Sequence, residues 1–452
     1  MPQVYTKENL MALGVYELRS LAREVGVKAP TMLTKEEIAN AVISVLRGEE
    51  KPQRTNFGRP VKTGGKFVEA LQLLKGQDFP KEIINNPKDI LNNFSSVLSN
   101  DMIIPTFAEI SFRGYVKLLQ ENTALVMAKG YCVDDFVHNV VITKETFSDF
   151  PLKDGDLVEC LAASTGEGKP KIVTKIMSIN GLHVKEFSKD REDFDNLLSL
   201  YPSKKFNLAK SFEECTNFKA HDKLLPIGIG SRTLITFPTS AKRAMLSYEY
   251  ANAIHTNNFA KSLIIAIGES PEDKQEFINE LKEQDIIFDD LAEENLLELL
   301  DVKINHVLRQ VELGNDRVII ITNYSKFKNF LKDALKLYSL SDQEANSIIN
   351  KRLLKLMNLA KNSEDYGSLT IIAMAEENSI NLQEDMSLST INTYIRHKNN
   401  YIANTLISLD FGKSYINRKE KLYTTGEFVK CEKFLIETKE IDFAERFKQF
   451  VK

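Results

Sequence analysis

Apolar and polar residues follow three different patterns along the chain. Near the N-terminus, apolar side chains recur at helical spacing over residues 18–25. A second run, TKEEIANAVISVL, begins with Thr34 and Glu37 in the arrangement of a capping box. The middle of the chain contains short β-rich runs separated by turns such as KDGD and TGEGKP. In the C-terminal half, helical stretches alternate with the apolar runs RTLITF, SLIIAIG, RVIIITN and GSLTIIAMA, which predicts a parallel sheet covered on both faces.

These patterns predict an α/β multidomain protein with five parts. They are an N-terminal helical hairpin domain (1–48), a basic linker with short helices (49–105), an OB-like β-barrel (106–185), a connector (186–218) and a parallel α/β domain (219–452). Residues 47–66 are rich in Gly, Pro and basic side chains, which is typical of a solvated linker or of a basic tether that touches RNA phosphates. We expect the acid-rich segment 283–301 to form a solvated helix surface and residues 404–423 to form a hairpin.

Composition narrows the function classes. The chain has 452 residues and a net charge of -4, so any nucleic-acid binding must come from a local basic patch. The four cysteines and six histidines are scattered, which disfavours a disulfide framework or a metal site. The start of the sequence is unlike a signal peptide, and no apolar run reaches the roughly 18 residues that span a bilayer. We therefore expect a cytoplasmic protein without a membrane partner.

Five segments, in this order, resemble the transcription termination factor Rho family. They are ELRSLAREVGV, LLPIGIGSRTLITFPTSAKRAML, IGESPED, YGSLTIIAMAE and INRKEKLYTT. The resemblance implies an N-terminal helical domain, an OB-like barrel that binds RNA, and a RecA-type parallel α/β domain over residues 219–452. It also implies a ring in which each ATP lies between two subunits.

The phosphate-binding loop departs from the family. A working loop of this type carries Gly-Lys-Thr, in which glycine lets the backbone wrap the phosphates, lysine neutralises them and the hydroxyl holds Mg²⁺. The matching positions here are Lys242, Arg243 and Ala244. At the end of RVIIITN, the acid expected to position Mg²⁺ is matched by Asn323, whose neutral amide is a poorer ligand. These four residues predict a degenerate nucleotide site.

Two catalytic remnants remain. Glu269 stands at the position of the family's catalytic acid, but Gly268 and Ser270 replace an acid and an arginine beside it. The alternative is an ordinary surface or capping glutamate. Arg418 matches the arginine that reaches into the neighbouring subunit's ATP, and the alternative is a solvated arginine at a sheet edge.

The RNA-binding side is altered as well. Thr123, Leu125 and Val141 match positions where the family has aromatic side chains, so stacking worth about 1–3 kcal/mol per base is lost there. Basic side chains remain, and they either hold RNA phosphates or serve solubility: Lys129, Lys169, Lys171 and Lys175.

We therefore hypothesise a Rho-like regulatory protein of transcription termination, a pseudo-ATPase that modulates a Rho-type ring or binds RNA. It would need no cofactor or metal, and its partners would be a Rho-type ATPase or the transcription machinery, in an oligomer or hetero-oligomer. Two alternatives stay open. One is an active RNA-dependent ATPase that binds ATP and Mg²⁺, and the other is a non-enzymatic nucleic-acid-binding scaffold.

Overall fold

The computed structural model describes two compact units. The described residues are 10–11, 18–19, 22, 27, 33–46 and 109–450, the last range with gaps at 120–122, 128–138, 165–170, 188–190, 211–214, 239–242, 259, 292, 337–341, 382–384, 399–407, 438–445 and 448. The units are Met1–Ile103 with Leu335–Leu340, and Ile104–Ala334 with Ser341–Lys452. The predicted linker and short helices of residues 49–105 lie outside the described residues.

The first unit contains helix α1 (Lys35–Leu46). Glu37 Oε2 accepts hydrogen bonds from the Thr34 backbone N–H at 2.8 Å and from its hydroxyl at 2.7 Å, which confirms the capping box. A small core surrounds this helix: Leu10, Leu18, Ala22, Val27, Ile38, Ala39 and Val42. Of the first predicted helix, only Leu18, Arg19 and Ala22 belong to the described residues, and all three are helical.

The second unit begins with a β-barrel. Its elements are β1 (Ile110–Leu118), β2 (Ala124–Met127), β3 (Val140–Ile142), α2 (Lys144–Asp149), β4 (Leu157–Ser164), β5 (Lys171–Ile179) and the short β6 (Leu182–His183). Five strands close a ring in the order β1-β2-β3-β5-β4, in which β3 and β5 pair in parallel and all other neighbours are antiparallel. Branched aliphatic side chains fill the interior, so the predicted closed barrel is confirmed.

A mostly parallel α/β domain follows. Its elements are α3 (Thr216–Leu224), β7 (Arg232–Phe237), α4 (Arg243–Asn258), β8 (Lys261–Ala266), α5 (Pro271–Glu280), β9 (Asp285–Phe288), α6 (Glu293–Glu312), β10 (Arg317–Ile321), α7 (Tyr324–Lys336), α8 (Asp342–Asn358), β11 (Leu369–Glu376), β12 (Thr393–Arg396), β13 (Tyr415–Ile416) and α9 (Thr425–Glu437). The strand order is β13-β12-β7-β11-β10-β8-β9, and only β13 runs antiparallel to its neighbour. The four apolar runs of the sequence form β7, β8, β10 and β11, because strands covered on both faces bury nearly every side chain.

Two local expectations differ from the structure. Strand β9 lies inside the acid-rich segment that we expected to be a solvated helix surface, and it pairs with β8 at the edge of the sheet. In the described part of residues 404–423, β13 does not pair within a hairpin; it pairs with β12 over two residues. Both strands are short edge strands, whose pattern of burial is weak.

Helix α6 joins the barrel to the α/β domain. Gly155 of the barrel has a φ of +85°, and a Cβ there would lie 2.4 Å from the backbone N of His306 on α6. His306 Nδ1 lies 3.0 Å from the Gly155 carbonyl oxygen, and burial lowers the pKa of this histidine to about 4. Lys303, on the same helix, donates to the Tyr115 hydroxyl of β1 at 2.7 Å. The barrel therefore packs directly on α6. No helix among the described residues has the length and apolarity to cross a bilayer.

Candidate nucleotide site

Three side chains meet at the carboxyl ends of the central strands. Arg243 begins α4 after β7, Glu269 follows β8, and Thr322 follows β10. Because parallel strands end at the same edge of a sheet, residues far apart in sequence come together there, and this edge is where open α/β sheets bind ligands. The sequence predicted Arg243 and Glu269 as candidate residues, but it did not single out Thr322.

The guanidinium of Arg243 forms a two-pronged ion pair with Glu269. Nη1 lies 2.6 Å from Oε1, and Nη2 lies 2.6 Å from Oε2. Nη1 also donates to the Thr322 carbonyl oxygen at 2.5 Å, and the Thr322 hydroxyl donates to Glu269 Oε1. The two charged side chains are only 4% and 1% exposed. The two charges therefore neutralise each other inside the protein, in the paired geometry that arginine and carboxylate prefer, while Arg243 Nε has no acceptor among the described residues.

This pair changes the interpretation of Glu269. The carboxylate is buried, so the alternative of an ordinary surface glutamate is wrong. The capping role belongs to Ser270 instead, whose hydroxyl oxygen accepts the Asp273 N–H at 3.1 Å at the start of α5. Both oxygens of Glu269 accept charge-assisted hydrogen bonds from Arg243, so the carboxylate is held in place by the protein's own arginine.

The loop that carries Glu269 is held at several points. Gly268, with a φ of +73°, donates its N–H to Asp289 Oδ2 at 3.0 Å and accepts a hydrogen bond from the Lys326 ammonium. Lys274 on α5 forms ion pairs with Asp289 at 2.7 Å and Asp290 at 2.6 Å, and these hydrogen bonds raise the pKa of Lys274. The peptide next to Glu269 is therefore fixed on both sides.

The other residues that match the phosphate loop and the metal position are not seen in the ion-pair cluster. Asn323 is 3% exposed, and its Oδ1 accepts the Lys326 N–H at 3.1 Å, so it caps α7 and does not join the ion pair. Ala244 is buried in the core of the α/β domain, and Lys242 lies outside the described residues. Thr322, one position before Asn323, is the strand-end residue that contacts Glu269. The signal that would have found it is its place directly after the apolar run of β10.

Arg418 lies apart from this cluster. Its side chain is 61% exposed, its φ is +58°, and its nearest described carboxylate is Glu420 at 3.7 Å. Its guanidinium carbon is 5.8 Å from the ring centroid of Tyr201, which is itself 52% exposed, and Lys421 Nζ lies 5.2 Å from the same ring. The structure thus places Arg418 on an exposed surface that combines two cations with an aromatic ring.

The candidate RNA-binding lysines are only partly described. Lys171 is partly exposed at the start of β5, and Lys175 is exposed further along this strand, while Lys129 and Lys169 lie outside the described residues. Leu125 and Val141, which match aromatic positions of the family, are 0% and 5% exposed. These two positions therefore offer no exposed surface on which a base can stack.

Comparisons with known proteins point to one family. No family model matches the chain. It is 28% identical over 276 residues to the transcription termination factor Rho of Borreliella burgdorferi, covering 59% of this chain and 52% of that protein. For the Rho factors of Mycobacterium bovis and Aquifex aeolicus, the identities are 28% over 268 residues and 29% over 248 residues. These alignments cover 56% and 53% of this chain, and 43% and 56% of the two relatives.

Two solved structures share a limited likeness with the chain. A prototypical ATPase from the type III secretion system of pathogenic bacteria gives a TM-score of 0.45 at 18% identity, covering 56% of this chain and 75% of the other. The ATP synthase subunit NeqB from Nanoarcheaum equitans gives a TM-score of 0.44 at 13% identity, covering 56% and 67%. The chain spans about half the length of the curated relatives it matches. The sequence relatives confirm the resemblance to the Rho factors.

Proposed function

We propose that this chain is a Rho-like factor of transcription termination that does not hydrolyse ATP by itself. The observation that carries the proposal is the buried ion pair of Arg243 with Glu269. In an active site of this family, the basic side chain would neutralise a phosphate and the acid would act on water. Here each of the two residues neutralises the other.

The carboxylate of Glu269 engages the guanidinium of Arg243, which is the group that a phosphate would need. A phosphate would have to displace a two-pronged, charge-assisted contact that is almost fully removed from water, and it would leave the carboxylate buried without its partner. The resulting free-energy penalty is about 3–5 kcal/mol. It is as large as the whole binding free energy of a ligand with a millimolar dissociation constant, about 4 kcal/mol. The site therefore favours its closed, nucleotide-free arrangement.

The residues present also fit a magnesium nucleotide poorly. Within the ion-pair cluster, the side-chain oxygens belong to one carboxylate, Glu269, and one hydroxyl, Thr322, and both are engaged with other protein groups. Mg²⁺ requires hard oxygen ligands in octahedral geometry. The described residues contain no group of three or more His, Cys, Asp or Glu side chains that could hold a metal ion.

Nucleotide titration of the full chain tests this proposal. We expect no saturable binding of a fluorescent ATP analogue below about 1 mM, and no ATP turnover with Mg²⁺ and RNA. A Rho factor that hydrolyses ATP, measured in parallel, serves as the positive control. Micromolar binding that disappears in Arg243→Gln, together with turnover, would establish the active RNA-dependent ATPase and overturn the proposal.

The exposed Arg418 suggests how such a chain acts. The family resemblance directs this arginine to the ATP of a neighbouring subunit, and its side chain is exposed beside Tyr201 and Lys421. We infer a hetero-oligomer in which the chain offers Arg418 to a Rho-type ATPase while its own site stays empty. Its expected location is the cytoplasm, where that partner works. RNA binding through Lys171 and Lys175 is a weaker element, because the nearby matching positions lack exposed aromatic rings.

A further inference from the structure

A large cavity lies between helices α6, α7 and α8, beside the barrel and the connector. Its volume is about 690 Å³, within the range of small-molecule sites. Apolar side chains at helical spacing on all three helices form its wall: Leu300, Ile304, Leu308, Phe327, Leu331 and Leu353. A cavity of this size and lining accommodates the apolar body of a ligand.

The carboxylates at the rim of the cavity already have cationic neighbours. Asp193 pairs with Lys153, and Asp301 pairs with Arg352 at 2.6 Å. Asp195 interacts electrostatically with a lysine that follows α8. The rim acids are therefore already balanced by the protein, and a cationic ligand group would have to compete with these lysines and arginines.

The basic side chains at the rim are not balanced in the same way. Lys117 of β1 and Lys355 of α8 form no ion pair with any residue in the described part of the chain. Arg309 of α6 contacts Glu312 through Nη2 at 3.0 Å, but its Nε–H, on a side chain only 12% exposed, has no acceptor among the described residues. A buried donor without an acceptor is costly, so an anionic group beside Arg309 would be stabilised.

We propose that this cavity binds a small amphipathic anion. Its apolar body lies against the three helices, and its single carboxylate, sulfonate or phosphate group accepts hydrogen bonds from Arg309 Nε and interacts with Lys117 and Lys355. The cavity shares no lining residue with the ion pair of Arg243 and Glu269, so this site is independent of the proposed loss of ATP hydrolysis. Because α6 also supports the barrel through Gly155, a bound anion stabilises the whole second unit.

A fluorescence titration of the full chain with anilinonaphthalene sulfonate, itself an amphipathic anion, tests the proposal. Laurate, dodecanol and dodecylammonium then compete for the probe, because they share one apolar tail and differ only in charge. We expect laurate to displace the probe at about a tenfold lower concentration than dodecanol, and dodecylammonium to displace it least. In a parallel series, naphthoate is used as the competing anion in place of laurate. The anion that displaces the probe at the lower concentration shows whether the cavity prefers an acyl chain or an aromatic ring.

Two variants locate the binding. Lys355→Glu is expected to weaken laurate binding about five- to tenfold, because an attraction becomes a repulsion, while Lys351→Glu, an exposed lysine on the same helix, leaves it unchanged. Ile304→Trp places a larger side chain in the cavity wall and is expected to weaken the binding of both the probe and laurate without lowering the melting temperature. Equal displacement by laurate and dodecanol, equal effects of the two lysine variants, or no probe binding at all would each overturn the proposal.

Discussion

Arg243 and Arg418 are the two arginines that the Rho resemblance directs to a triphosphate, and their surroundings are opposite. The side chain of Arg243 is 4% exposed and binds both oxygens of Glu269. The side chain of Arg418 is 61% exposed, and its nearest described carboxylate lies 3.7 Å away on Glu420. One arginine is part of the folded core, whereas the other is available at the surface.

The difference shows what a buried arginine requires and an exposed one does not. A buried charge is tolerated only when it is paired, and the fork of an arginine matches a carboxylate with two parallel hydrogen bonds. Once an arginine stands at the start of α4, Glu269 can satisfy it without any ligand. Arg418 has no comparable ion pair among the described residues, so its contacts contribute little to stability. Its guanidinium is therefore accessible to another molecule.

The strongest test of this contrast is the substitution Arg243→Met. It leaves the Glu269 carboxylate buried without a cation, and we expect the free energy of unfolding to fall by about 3–5 kcal/mol. Urea unfolding followed by circular dichroism measures the change.

The double substitution Arg243→Met with Glu269→Leu is the matched control. Removing both charges restores an apolar core, so its stability is expected within about 1 kcal/mol of the wild type or above it. A single variant as stable as the wild type would show that the pair is not a structural element, and the closed-site interpretation would fail with it.

The second prediction concerns the loss of stability at acid pH, which arises from buried histidines of the α/β domain. His221 is fully buried behind α4, with Nδ1 3.0 Å from the Leu225 carbonyl oxygen and Nε2 against the Tyr250 hydroxyl, and burial lowers its pKa to about 4. His397, 6.2 Å from the His221 ring, has a pKa lowered by burial and then by His221. Between about pH 6.5 and pH 4 the unfolded chain binds protons that the folded chain refuses, so stability is full above this window and falls as the pH falls through it.

The expected loss from His221 alone is about 3 kcal/mol at pH 4. Urea unfolding over this pH range measures the slope, and His221→Gln is expected to make it shallower. The same substitution at His183, which is exposed on β6, is the control and should leave the slope as in the wild type. An unchanged slope in His221→Gln would assign the acid sensitivity to other groups.

The fold follows from the sequence wherever burial is complete. Strands such as β7 and β10 are continuous apolar runs because both faces of the sheet are covered, and Thr34 with Glu37 marks the start of α1 by local hydrogen bonds alone. Strand β9 is not predicted in this way, because an edge strand within an acid-rich segment shows no clear alternation of apolar and polar residues.

The site is harder to predict because its parts meet only in three dimensions. The sequence singles out Arg243 and Glu269 separately, yet they are 26 positions apart. They come together at the carboxyl edge of the sheet, although β11 and β10 lie between the strands that precede them, β7 and β8. Thr322 is 53 positions from Glu269. The motif comparison selects its neighbour Asn323, because Asn323 stands where an acid is expected, and it passes over Thr322. Positions in a motif do not reveal whether a side chain faces a ligand or another residue.

The smallest expected effect on stability, and the sharpest one for function, comes from Arg418→Ala. An exposed arginine whose one described carboxylate neighbour is also exposed contributes little, so we expect the free energy of unfolding to change by less than about 0.5 kcal/mol. If the chain offers Arg418 to a Rho-type ATPase, the wild-type chain should co-purify with that enzyme and alter its turnover in mixtures, and Arg418→Ala should reduce the change in turnover. Lys413→Ala, an exposed cation on a nearby turn, is the control and should behave as the wild type. Turnover that stays constant at every mixing ratio, without co-purification, would remove the partner from the proposal while leaving the closed site of Arg243 and Glu269 untouched.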